Sequence, residues 1–96
     1  MKFEWDISKA GLNIKNHGVS FDEAVEAFYD PNAVRGFDTE RSENEERFYV
    51  IGFSSRRLLF MIYAERIDSD TIRIITARKA EAKYQKEYTE ENYGTE

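Results

Sequence analysis

The 96-residue sequence predicts a single α+β domain over residues 1–96, and three observations carry that expectation. After a short opening strand, apolar residues at helical spacing with cap signals at their ends run as far as Asp30. Aromatic and β-branched runs separated by short polar turns then extend to Ala77. From Ala80 onward, Ala, Glu, Lys and Gln favour a closing helix.

Phe3-Glu4-Trp5 reads as a strand, and Asp6 supplies a side-chain oxygen to cap the helix that follows. On a helical wheel Ile7, Ala10, Gly11 and Ile14 gather on one side, which predicts the buried face. Lys9, Asn13, Asn16 and His17 gather on the other, and Leu12 falls outside the apolar stripe. Gly18 ends the helix because it takes the left-handed conformation a stop requires. Ser20-Phe21-Asp22-Glu23 has the pattern of a capping box, with serine and glutamate satisfying orphan amides reciprocally. The second helix therefore starts near Phe21, carries Ala24, Val25 and Phe28 inward, and closes at Asp30-Pro31.

Beyond Pro31 residues 33–37 form a strand, and the acidic stretch 38–46 forms a loop. Residues 48–53 are rich in aromatic and branched side chains and read as strand. Ser54-Ser55 makes a turn, and residues 58–64 are apolar on both faces, as expected of a central strand. Asp68-Ser69-Asp70 is the next turn, and residues 71–77 the last strand. Short turns between consecutive strands predict antiparallel pairing. Tyr84 and Tyr88 lie four apart on the closing helix, and residues 89–96 are expected to fray.

Composition narrows the function classes. The absence of cysteine excludes disulfides, thiolate metal sites and cysteine nucleophiles. No apolar run approaches the roughly 20 residues of a membrane span. The opening Met-Lys-Phe-Glu-Trp-Asp puts acids where a signal peptide needs apolar residues, so a cytoplasmic location is expected. The net charge of −5 is unevenly spread. Residues 1–55 hold six basic and eleven acidic side chains, residues 56–86 hold eight and four, and residues 87–96 hold four acids alone. The basic middle segment is open to two readings, a phosphate site or a solvated mixed-charge surface.

Three groups of residues are candidates for chemistry. His17 is the only histidine, and an imidazole titrates near neutral pH, as general acid or base work requires; a lone histidine at a helix end also serves as a plain surface residue. Lys9, Asn13 and His17 follow at four-residue steps along one helix face. They could hold and polarise a phosphodiester, or form a solvated polar face. Alternation over residues 72–78 predicts Ile72, Ile74, Thr76 and Arg78 on one sheet face, with Arg73 on the other. A guanidinium fits two phosphate oxygens at once, and Arg66 is expected nearby across the turn. The competing reading pairs these arginines with Glu65, Asp68 or Asp70. Metal ligation and metal-dependent chemistry are not expected, since no cluster of ligand residues accompanies His17.

The same residues resemble a known family. Phe3-Glu4-Trp5-Asp6, Lys9, Asn13, His17-Gly18-Val19-Ser20-Phe21, Glu23-Ala24, Phe28 and Asp30-Pro31 are similar to the first half of the BrnT toxins. Glu45-Glu46-Arg47-Phe48, Ile51-Gly52, Ser54, Leu58, Glu65-Arg66, Ile72-Arg73-Ile74-Ile75-Thr76-Ala77-Arg78 and Ala80 continue the resemblance, which spans about residues 3–88. The sequence departs from that pattern at Asn16, where lysine is usual, and at Glu81 and Tyr84, where threonine and glutamate are usual.

The resemblance implies a RelE-like fold, with two N-terminal helices packed on a curved antiparallel β-sheet and a C-terminal helix. It also implies the toxin of a type II toxin–antitoxin pair, a metal-independent endoribonuclease that cleaves RNA and inhibits translation, with no cofactor. Its implied partner is a BrnA-type ribbon-helix-helix antitoxin in a heterotetramer with two toxins, promoter DNA being reached only through the antitoxin. For such chemistry His17 is expected to transfer protons. Arg78 and Arg66 would stabilise phosphate charge, Lys9 would bind phosphate or assist proton transfer, and Asn13 and Thr76 would lend hydrogen bonds. The alternatives are a non-catalytic interaction module or transcriptional co-regulator of the same fold, and a binder of small anionic ligands through Arg78 and Lys9.

Overall fold

The fold is that of a computed structural model and covers residues 1–40, 42, 44–66 and 70–94. Its elements in chain order are β1 (Lys2–Glu4), α1 (Ile7–His17), α2 (Phe21–Phe28), β2 (Val34–Phe37), β3 (Phe48–Phe53), β4 (Leu58–Arg66), β5 (Thr71–Lys79) and α3 (Ala82–Tyr93). Three helices thus accompany one five-stranded sheet, ordered β1-β5-β4-β3-β2, in an α+β fold. The four later strands form the expected antiparallel meander. The opening strand makes the sheet mixed, because β1 runs parallel to β5 and pairs Lys2 with Thr71 and Glu4 with Arg73. The expected turn at Asp68-Ser69-Asp70 lies largely outside the described residues, as does the end of the expected frayed tail; α3 continues regularly to Tyr93.

β4 is the central strand, buried from Leu59 to Ala64 on both faces, as its two-sided apolar sequence requires. Leu59, Met61 and Tyr63 face α2 and join Val50, Phe28, Ala24 and Phe21 in one core. Phe60 and Ile62 face the other way and join Ile51 and Tyr88 in a second core under α3. Gly52 permits the first contact, since a Cβ there would meet the backbone oxygen of Ala27 at 2.3 Å.

The helix caps follow the sequence. Asp6 accepts from the Lys9 amide, Ser20 accepts from the Glu23 amide, and Gly18 stops α1 at φ 69°. The capping box is only half formed, because the Glu23 carboxylate turns away toward Arg57 and Ser54.

Two expectations of facing are overturned. The first concerns α1, whose predicted apolar face is outermost: Ile7 is 85% exposed and Ile14 52%, while Asn13, at 6%, is the buried residue of the helix. Of the four residues assigned to the buried face, Ala10 alone packs against the core. The reason is a set of hydrogen bonds from Asn13, described below, that outweighs the hydropathy of the helix. The second concerns β5. Ile62 pairs with Thr76 but the next residue, Tyr63, pairs with Ile74, so Ile75 is an extra residue in a bulge. Directly opposed residues share a sheet face. Ile74, opposite Tyr63, therefore looks toward α2, whereas Thr76 and Arg78, opposite Ile62 and Phe60, look toward the α3 side.

Candidate active site

The site is built where α1 meets the edge of β5. β1 covers that edge only as far as Arg73, so the backbone beyond it needs other partners. Asn13 supplies them. Its Nδ2 donates to the Ala77 carbonyl at 2.7 Å, and its Oδ1 accepts from the Ala77 amide at 3.1 Å. A side-chain amide carries both a donor and an acceptor, so it imitates a neighbouring strand. Nδ2 also donates to the Val19 carbonyl at 2.8 Å, and Oδ1 accepts from the Thr76 hydroxyl at 3.1 Å. Asn13 and Thr76 are thereby brought together and both are engaged in holding α1 to the sheet.

This junction positions three more of the candidate residues. Lys9 and His17 lie one turn either side of Asn13 on the same helix face, each roughly 6 Å along the axis. Both are exposed. Arg78 is the strand neighbour of Ala77 on the other side from Thr76. Its guanidinium carbon sits 5.8 Å from the Phe60 ring centroid, and its buried Nε has no hydrogen-bond partner. No ion pair ties Arg78 to Glu65 or Asp70 among the described residues.

Arg66 stands elsewhere. It pairs with Thr71 in the ladder while Arg78 pairs with Phe60, six residues away along β4, which is roughly 20 Å at about 3.3 Å per residue. Its Nε donates to Glu4 at 2.9 Å. Antiparallel neighbours share a turn at one end only, and Arg66 and Arg78 occupy opposite ends. Arg73 on the α3 side is likewise paired, with Glu45, and it holds that carboxyl below the usual range.

Sequence reasoning missed a buried pair beside His17. Arg57 donates to the two Glu23 carboxylate oxygens through Nε and Nη2, at 2.9 and 2.8 Å, and Nη2 also donates to the Gly18 carbonyl at 2.8 Å. Ser54 Oγ donates to the same carboxylate at 2.8 Å. These bonds pin the end of α1, immediately after His17, to α2 and to the β3–β4 turn. The Arg57 hydrogen bonds hold the Glu23 carboxyl below its ordinary value against the opposing effect of burial, with Ser54 adding to them. The local signals were a glutamate in a cap pattern and a Ser-Ser-Arg-Arg turn, and nothing in either announces the other.

Asn13 thus ties a helix that carries an imidazole and an ammonium to a strand that carries a guanidinium on its α3-side face. Such a set can transfer protons and stabilise negative charge developing on a phosphate. Among the described residues no group of three or more His, Cys, Asp or Glu side chains could hold a metal ion, and no helix is long and apolar enough to cross a membrane.

The class of protein to which the chain belongs is that of ribonuclease toxins of toxin–antitoxin systems. Residues 5–83 match the family described as ribonuclease toxin, BrnT, of type II toxin–antitoxin system, and the chain belongs to that family. It is a ribonuclease toxin with an antitoxin for a partner. No curated protein matches the sequence.

Proposed function

We propose that this toxin is a metal-independent endoribonuclease of RelE-like fold that cuts RNA at the α1–β5 junction and arrests translation in the cytoplasm. The observation that supports this reading best is the pairing of Asn13 with Ala77 and Thr76, since it ties the helix that carries Lys9 and His17 to the strand that carries Thr76 and Arg78. In the reaction the RNA 2′-oxygen bonds to phosphorus while the bond to the 5′-oxygen breaks. One proton leaves the 2′-hydroxyl and one reaches the 5′-oxygen. His17 transfers a proton, a role worth roughly 10²–10⁴ in rate. Arg78 neutralises the charge on the phosphorane, and Lys9 holds the phosphate. Asn13 and Thr76 support the site by fixing its geometry, and Arg66 remains with Glu4 outside it.

The partner in this reading is a BrnA-type ribbon-helix-helix antitoxin, two toxins entering a heterotetramer that reaches promoter DNA through the antitoxin alone. The test is cleavage of labelled RNA by the purified chain in EDTA. The expected result is fragments ending in 2′,3′-cyclic phosphate, with a loss of roughly 10²-fold or more in His17→Ala. Undiminished cleavage by that variant removes histidine from the mechanism. An intact RNA, with antitoxin binding retained, makes the chain a non-catalytic interaction module.

A further inference from the structure

On the α3 side of the sheet, next to Arg78, lies a cavity of about 270 Å³ between the start of α3 and the segment after β2. It is small among ligand cavities, which run from roughly 300 Å³ upward. Its floor and one wall are aromatic. Tyr49 and Phe60 lie side by side with ring planes 21° apart, and Tyr84 from α3 stacks on Phe60 at 4.0 Å and 17°. The Tyr49 ring occupies the space where a side chain at position 36 would project, since a Cβ on Gly36 would meet it at 2.4 Å. Its hydroxyl donates to Glu87 at 2.6 Å, which fixes the ring in place. The polar lining is Asp38, Glu40, Glu81 and Glu87 against the cations Arg78 and Lys83.

That balance is wrong for a bare phosphate, which four carboxylates would repel. It is right for a flat group that carries N–H donors. Carboxylates accept from base amino groups, and Arg or Lys donates to O6 and N7 of guanine. Guanine alone among the four bases also offers two adjacent N–H donors on its Watson–Crick edge, the match to a carboxylate. Unpaired RNA bases are held by stacking on aromatic rings while their edges are read in this way.

We infer that this cavity is a base-recognition subsite for an unstacked guanine beside the cleaved phosphate, read by Glu81 and stacked on Tyr49, with Tyr84, held between Phe60 and the Lys83 ammonium, as its wall. The inference rests on the ribonuclease reading: Arg78 lines the cavity and follows Ala77, which Asn13 ties to α1, so a nucleotide whose phosphate sits at the Arg78 guanidinium has its base within reach of the cavity.

The test uses single-stranded oligonucleotides with one variable base, cut by the purified chain and by Glu81→Gln and Tyr49→Leu. Glu81 makes no side-chain cap bond to α3, so its substitution leaves the helix start intact. The expected result is a roughly tenfold preference for guanosine over uridine, the scale of one good base contact, flattened in both variants. Cleavage without base preference, or a preference that both variants keep, overturns the subsite and leaves the nuclease standing. If the wild-type chain cuts nothing, the nuclease reading fails and binding decides the cavity. Addition of 5′-GMP that shifts the Tyr49 and Tyr84 ring signals in NMR spectra, where 5′-UMP does not, supports the subsite. Equal or absent shifts overturn it.

Discussion

The side chain of Asn13 pairs with the backbone of Ala77 through both its oxygen and its nitrogen, completing a sheet edge that β1 leaves open. Replacing it by alanine strands the Ala77 amide and carbonyl and the Val19 carbonyl in a buried place. Each such group costs about 1–3 kcal/mol when left unpaired, and water entering the gap recovers part of that. We expect Asn13→Ala to lose roughly 2–4 kcal/mol in urea denaturation and to speed hydrogen exchange at the Ala77 amide. Asn13→Asp is the sharper probe. A carboxylate can accept from Ala77 N and Thr76, but it turns like charge toward the two carbonyls that Nδ2 now satisfies. It should be no more stable than the alanine variant at neutral pH.

The Glu23–Arg57 pair predicts an acid-sensitive junction. Glu23 is lowered from its ordinary value of 4.5, chiefly by the Arg57 hydrogen bonds. A group whose folded-state pKa is depressed contributes stability that is complete above its unfolded value and is lost as pH falls through the folded one. Removing one partner of a buried pair costs about 3–5 kcal/mol, and the partial exposure of Arg57 reduces that. We expect Glu23→Gln to be destabilised by roughly 2–4 kcal/mol at pH 7. The gap to wild type should stay constant down to about pH 4.5 and close below it. A gap independent of pH from 7 to 3 would show that the carboxylate charge has no part in it.

The opposite ends of the β4–β5 ladder predict opposite outcomes for two arginines. Arg78→Ala removes a cation beside the proposed phosphate position, and a loss of roughly 10²–10³ in cleavage rate is expected, the scale for removing one stabilising donor. Arg66→Ala breaks an exposed pair with Glu4, worth about 0–1 kcal/mol. Its cleavage rate should stay within roughly threefold of wild type. Single-turnover rates on one RNA distinguish the two, and equal losses would move the site away from the α1–β5 junction.

Much of this architecture is legible in the residues, and the places where it is not share a cause. The caps at Asp6, Ser20 and Gly18 are local chemistry and appear as expected. The burial of β4 follows from a run that is apolar on both faces. The line of Lys9, Asn13 and His17 is fixed by helical period alone. The facing of α1 is not, because a helical wheel weighs Ile7 and Ile14 against Asn13 by hydropathy. It cannot see a strand edge 64 residues away that only an amide can complete. Alternation along β5 fails at Ile75 for a similar reason: the bulge is set by pairing with β4, and nothing in Ile-Ile-Thr marks it. Glu23 fits a capping box locally, and its true partner stands 34 residues on. Local rules read what local bonds decide.

The close approach of α2 to β3 leaves no room for a side chain at position 52. Gly52 lies on β3, paired with Leu59 of β4, and its α-carbon sits under the end of α2, where an added Cβ would meet the Ala27 carbonyl oxygen at 2.3 Å and the Asp30 side chain at 3.3 Å. Neither neighbour yields easily. The Ala27 oxygen accepts from the Asp30 amide, and the Asp30 carboxylate accepts from the Phe53 amide and the Tyr88 hydroxyl, both at 2.8 Å. Those bonds, with one from the Asn32 amide, hold the Asp30 carboxyl below its ordinary value although burial alone would raise it. Gly52→Ala must therefore lift the end of α2 and loosen the tie from Asp30 to α3 at once. Overpacking of this kind costs about 1–3 kcal/mol. We expect a loss near the upper end, accompanied by a fall of the Tyr88 hydroxyl, which burial and then the Asp30 carboxylate raise to about 12, as its bond to Asp30 weakens. Both are read by denaturation and by ultraviolet titration of the tyrosines. An alanine variant as stable as wild type would mean that α2 sits farther from the sheet than this contact requires.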